Sequence, residues 1–144
     1  MTRPATLSQA VSRIAAGENQ EFVWAGLLDH FYKAQDSGER RDILRDEPQL
    51  TTNIRLNCFA AATAEYLWRQ YQLDAPLPAW IIADNRVLPE PWFTTTMISP
   101  AIREYLTFAS PAEFIHHNIF TDEAPLRRAA QPNRPSAGKV SSSQ

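Results

Sequence analysis

The chain has 144 residues, 44% of them hydrophobic, which suits one domain with a core of its own and excludes wholesale disorder. Its formal net charge of −2 argues against a dedicated nucleic-acid binder, because neutralising phosphates needs a basic excess. Cys58 is the only cysteine, so no internal disulfide can form, and a lone thiol in an apolar setting suits a reducing compartment.

The N-terminal residues show no apolar signal-peptide core, and no apolar run approaches the ~18 residues of a membrane span, so the expectation is a soluble cytoplasmic protein. Leu7, Ala10, Val11 and Ile14 fall on one helical face, with Thr6 as N-cap and Gly17 as stop. Val23, Trp24, Leu27, Leu28, Phe31 and Tyr32 form a broader stripe over residues 19–35, closed by Asp36-Ser37-Gly38. Residues 39–47 read as a short charged helix, capped by Asp36 or Ser37 and closed by Pro48, with alternating charges that imply a wet face.

The longest pattern spans residues 52–71, where Leu56, Phe59, Ala60 and Leu67 make the stripe. Thr63 interrupts that face, and its hydroxyl is expected to bond back to a carbonyl one turn earlier. Ala60, Ala61, Ala62 and Ala64 give a small-residue surface that a neighbouring helix can approach closely, which makes this the expected central helix. Cys58, beside the stripe, reads as a small core hydrophobe.

Prolines at 76, 78, 89 and 91 rule out a long helix over residues 75–92. A helical turn after Pro78 is expected, and residues 80–82 or 86–88 are short strand alternatives without the alternation of a sheet. Trp80, Trp92 and Phe93 should pin this loop to the helices.

Ser99-Pro100 and Ser110-Pro111 each open a helix, with proline at the first helical position. Glu113 stands three residues after Ser110, the spacing of a capping box, and Phe114, Ile115, Ile119 and Phe120 should return the corner to the core. Thr121-Asp122-Glu123 reads as one more helix start. From residue 124 onward Arg127, Arg128, Arg134 and Lys139 meet no acid, a local +4, and residues 130–144 read as a disordered basic tail.

Ser110-Pro111 with Phe114, Asn118-Ile119-Phe120-Thr121 and Leu126-Arg127-Arg128-Ala129 together resemble a group of small uncharacterised bacterial proteins. Phe22 to Tyr32 and Pro91-Trp92-Phe93 extend that resemblance. It implies a bacterial origin and brings no mechanism. His116 and His117 stand where that group would carry arginines, which weakens a basic patch there at neutral pH.

Chemistry is sparse. Adjacent residues on a helix point about 100° apart, so His116 and His117 should not converge on one ion and read as surface histidines. His30 and Asp29 could join them only from another helix. Cys58 lies in an apolar stripe that would raise its pKa, no Gly-x-Ser-x-Gly elbow is present, and the four glycines are scattered singly. Arg40, Arg41 and Arg45 are cancelled by Asp42, Asp46 and Glu47, which disfavours a recognition helix.

The expectation is therefore an all-α domain over residues 1–129, a compact bundle of five to seven short helices with a Pro-rich tethered loop. No catalytic, cofactor or metal residues are assigned, and an enzyme is unsupported. The leading function is a bacterial accessory or regulatory protein acting through contacts with a protein partner. Its aromatics at the edges of their stripes, Trp24, Tyr32, Trp68 and Tyr71, are of the types enriched at interfaces. The alternatives are a small nucleic-acid-associated regulator and an unrecognised small enzyme. The candidate interaction edge is His116, His117, Arg127 and Arg128.

Overall fold

Four helices in the first half begin at four side-chain caps. The computed structural model describes residues 3–95, 99–126 and 128. Helix α1 (Leu7–Ala15) starts where Thr6 Oγ1 accepts the Gln9 amide at 3.1 Å, and stops at Gly17, whose φ of +107° favours glycine. Asn19 caps α2 (Gln20–Lys33), and Asp36 caps α3 (Ser37–Leu44), each accepting an amide at 2.9 Å. Each such cap is worth about 1 kcal/mol. Helix α4 (Ile54–Gln70) starts two residues inside the expected span of 52–71 because Asn53 is the cap. In its first turn, the Asn57 side chain accepts from the Thr51 amide and donates to the Thr51 carbonyl, both at 2.9 Å, which fixes the entering chain.

The core is centred on α4. Ala60, Ala61, Ala62 and Ala64 are all fully buried, so the helix is covered on several sides, by α1, α3, the C-terminal corner and the proline-rich loop. Small side chains permit that approach, and the apolar area removed from water supplies the driving force, about 1.5–3 kcal/mol for a residue such as Leu67. Rings fill the gaps: Phe31 lies 5.6 Å from Tyr71, and Phe114 lies 5.8 Å from Phe59 and 5.6 Å from Tyr66, centroid to centroid. Trp24, Tyr32, Trp68 and Tyr71 are buried, so the aromatics expected at stripe edges belong to the core. Their polar ends are satisfied inside: Tyr32 donates to the Leu126 carbonyl at 2.8 Å and Trp68 to Ala75 at 3.0 Å. Thr63 is a correction. It is fully buried, but its hydroxyl makes no hydrogen bond, back-bonded or otherwise.

The proline-rich stretch forms two 3-10 turns, Ala79–Ile82 and Asp84–Arg86, in place of either strand alternative. Trp80 pins it by donating to the Arg45 carbonyl at 3.0 Å. The strand pairing that does form is elsewhere. Strand β1 (Trp92–Phe93) runs parallel to β2 (Ile119–Phe120), with Trp92 opposite Ile119 and Phe93 opposite Phe120. Phe93 stacks on Phe120 at 4.9 Å, and Arg103 lies over the Phe93 ring.

Helix α5 (Pro100–Ala109) begins as the sequence implies, with Ser99 capping Ile102 and proline first. Helix α6 (Ala112–Ile115) does not use the capping box. Ser110 ends α5 instead: its hydroxyl accepts from the Thr121 amide at 2.8 Å and lies against the carbonyls of Leu106 and Thr121. Glu113 accepts from Gln70 on α4 at 3.2 Å. A partner 11 residues away has displaced the local one. Thr121-Asp122-Glu123 starts no helix, because the Asp122 carboxylate closes a turn on the Ala124 amide at 2.9 Å. Phe114 and Ile119 enter the core, but Ile115 faces outward. No helix among the described residues is long and apolar enough to cross a membrane. The basic tail expected over residues 130–144 lies outside the described residues.

Candidate functional site

The densest polar chemistry lies under α6. After Ile115 the chain leaves the helix in a tight turn: His117 N bonds to Phe114 O at 3.0 Å, and Asn118 N to Ile115 O at 2.8 Å. Asn118 takes a φ of +67°, a conformation asparagine tolerates better than most residues, and its side chain donates to the Leu88 carbonyl at 3.0 Å. That turn removes the regular angular separation between neighbouring side chains. His116 and His117 converge after all, on the two oxygens of one carboxylate, Glu65 of α4.

Glu65 is fully buried. Its Oε1 accepts from His117 Nε2 at 2.8 Å, and its Oε2 accepts from His116 Nδ1 at 2.6 Å and from Arg69 Nε at 2.9 Å. Burial pushes the carboxyl up, but the hydrogen bonds from His117, His116 and Arg69 outweigh it and hold Glu65 down to about 2. His117 is 1% exposed, and its Nδ1 meets the Arg86 carbonyl at 2.7 Å. Each ring nitrogen of His117 therefore faces an oxygen inside the protein, Glu65 Oε1 on one side and the Arg86 carbonyl on the other.

Arg86 continues the network inward. It is fully buried, donates to the carbonyls of Asn57 at 3.1 Å and Pro48 at 2.7 Å, pairs with Glu47 at 3.1 Å and stacks over Trp80. Its Nε has no partner. Cys58 is buried nearby, and desolvation raises its thiol pKa against a small opposing pull from Arg86, so the thiol is a packing group.

What this cluster can do follows from how completely it is used. Each Glu65 oxygen already accepts from a cation or an imidazole, so neither is free to take a proton from a substrate or to bind a metal. No cluster of metal-ligating residues occurs among the described residues. The network fastens α6 and the loop to α4. Buried charges are costly unless paired, and here the pairing itself ties three segments together.

The structure takes the expected edge apart. His117 is inside, which corrects its reading as a surface residue, and Arg127 lies outside the described residues. His116 is half-exposed but tied to α4 through Glu65, whereas Arg128 is tied to α2 by a two-pronged pair with Asp29, both contacts 3.0 Å. Neither Glu65 nor Arg86 stood out in the sequence. The available signal was a lone acid within the alanine-rich face of α4; Arg86, in the polar turn Asp84–Arg86, carried no local sign of burial.

Two exposed aromatics share one face of α5. Ile102, Leu106 and Ala109 turn inward, while Ala101, Tyr105 and Phe108 repeat at i, i+4 and i+7 on the other side. Phe108 is 81% exposed and Tyr105 is 52% exposed. Tyr105 donates to Glu123 at 2.6 Å, Asp122 is close enough to act on the same phenol, and Glu104 lies on the same face. No protein-family model matches the chain, and no curated protein or solved structure matches it.

Proposed function

We propose that this chain is a bacterial, cytoplasmic accessory protein that acts by binding another protein through the outer face of α5. The observation that carries the reading is Phe108, a phenylalanine 81% exposed on a helix whose opposite face is already packed. Leaving such a ring in water forgoes about 1.5–3 kcal/mol that a partner's surface would recover. Tyr105 beside it adds a rigid aromatic anchor of the kind enriched at binding hot spots. Glu104, Asp122 and Glu123 give the face an acidic border. The partner that fits is an amphipathic helix with an apolar stripe edged by lysine or arginine.

The test is co-purification from the native host, followed by reconstitution of the complex from purified components. A one-to-one complex that survives gel filtration, and that Phe108→Asp dissolves without moving the thermal midpoint, supports the assignment. An unchanged complex in that variant overturns it.

A further inference from the structure

A second surface feature lies where the N-terminal segment meets α2, and its lining shares no residue with the α5 face. The N-terminal segment crosses α2 at Gly26, where a Cβ would come within 3.3 Å of both Arg3 Cγ and Pro4 Cδ. Glycine there lets the segment lie against the helix and leaves a cavity of about 300 Å³ between them. One end is apolar, lined by Phe22, Ala25 and Pro4, with Phe22 half-exposed. The other end is ionic, made by Arg3, Asp29 and Arg128.

The charges at that end do not balance. Arg128 occupies both oxygens of Asp29, at 3.0 Å each, so the acid is already satisfied. Arg3 touches the same carboxylate at only 4.0 Å and is half-exposed. Lys33, one turn along α2, also acts on Asp29. Three cations thus surround one carboxylate: Arg128 holds it, while Arg3 and Lys33 act on it from farther away, and of those two it is Arg3 that lines the groove. The bidentate Arg128 pair fixes the wall, while the Arg3 guanidinium keeps donors available for a second anion.

We propose that this groove binds a short apolar carboxylate, its chain against Phe22, Ala25 and Pro4 and its carboxylate on Arg3. The volume sits at the lower end of small-ligand sites, which fits a chain of several carbons and not a nucleotide. The same chemistry is offered by a free organic acid and by the C-terminus of a peptide ending in an apolar residue. This groove is separate from the α5 face, so failure at one leaves the other standing.

The experiment titrates the full chain with sodium octanoate, octylamine and N-acetyl-alanyl-leucine, following amide shifts by NMR. Octanoate should saturate shifts at Ala25 and Gly26, with octylamine at least roughly tenfold weaker. Arg3→Gln should weaken octanoate binding by about tenfold, with an unchanged thermal midpoint, since one charge-assisted contact is lost. Tighter binding of the dipeptide assigns a peptide C-terminus as the source, and tighter octanoate assigns a free acid. Equal binding of octanoate and octylamine overturns the proposal. So does an Arg3→Gln variant of unchanged affinity, or no shift at these amides up to about 10 mM ligand.

Discussion

Replacing Glu65 by glutamine isolates the value of the buried network. The side chain keeps its shape, but every group around it is a donor: His117 Nε2, His116 Nδ1 and Arg69 Nε. A glutamine oxygen can serve one side, while its NH2 must then face an N–H on the other. The carboxyl goes from an ordinary 4.5 to about 2 on folding. At about 1.4 kcal/mol per pKa unit that is worth about 3–4 kcal/mol. Because His116 and Arg69 are half in water, the expected loss in Glu65→Gln at pH 7 is about 2–3 kcal/mol. The sign of the pH dependence is fixed by the direction of the shift. A depressed carboxyl stabilises fully above its unfolded value of 4.5, and the contribution fades as pH falls towards about 2. Urea unfolding followed by circular dichroism at several pH values would show wild type and variant furthest apart above about pH 5, with roughly half that gap left at about pH 3. A gap below about 1 kcal/mol at neutral pH, or one that does not narrow in acid, would refute the network's energetic role.

Three further outcomes follow from single side chains. Thr63→Val removes a buried hydroxyl that has no partner and should raise stability by about 1 kcal/mol, read from the urea midpoint at unchanged slope. Ser110→Ala deletes the oxygen that accepts the Thr121 amide, and should cost about 1–2 kcal/mol, whereas Glu113→Ala, which loses only the Gln70 contact, should cost less. Cys58 should react with a thiol reagent in the native state at least about a hundredfold more slowly than in urea, because its thiol is both buried and raised in pKa; equal rates would contradict its packing role.

The bundle was legible where its determinants are local. Thr6 and Asp36, both read as caps in the sequence, each accept an amide three residues on, and Asn19 and Asn53, not expected as caps, do the same. The alanines of α4 likewise announced the helix that others approach. Local rules failed where a distant partner offered more. Ser110 has the spacing of a capping box, but the Thr121 backbone 11 residues on takes its hydroxyl. His116 and His117 diverge on an ideal helix, but the turn through Asn118 brings both to a glutamate 51 and 52 residues away. No period in the sequence encodes that meeting.

These misses share a direction. His117, read as a surface residue, is buried, and so are Glu65 and Arg86, because each finds enough partners to offset desolvation. The aromatics placed at stripe edges, Trp24, Tyr32, Trp68 and Tyr71, are core. Among the described residues, α5 carries an apolar stripe bordered by acids. Arginine 128 is not a free cation on the expected edge but one arm of a pair with Asp29, which makes it a wall and leaves Arg3 as the group with contacts to spare. The histidines are fastenings, and substituting them would test the fold. Binding is tested by Phe108 and Arg3, whose removal costs the native packing least.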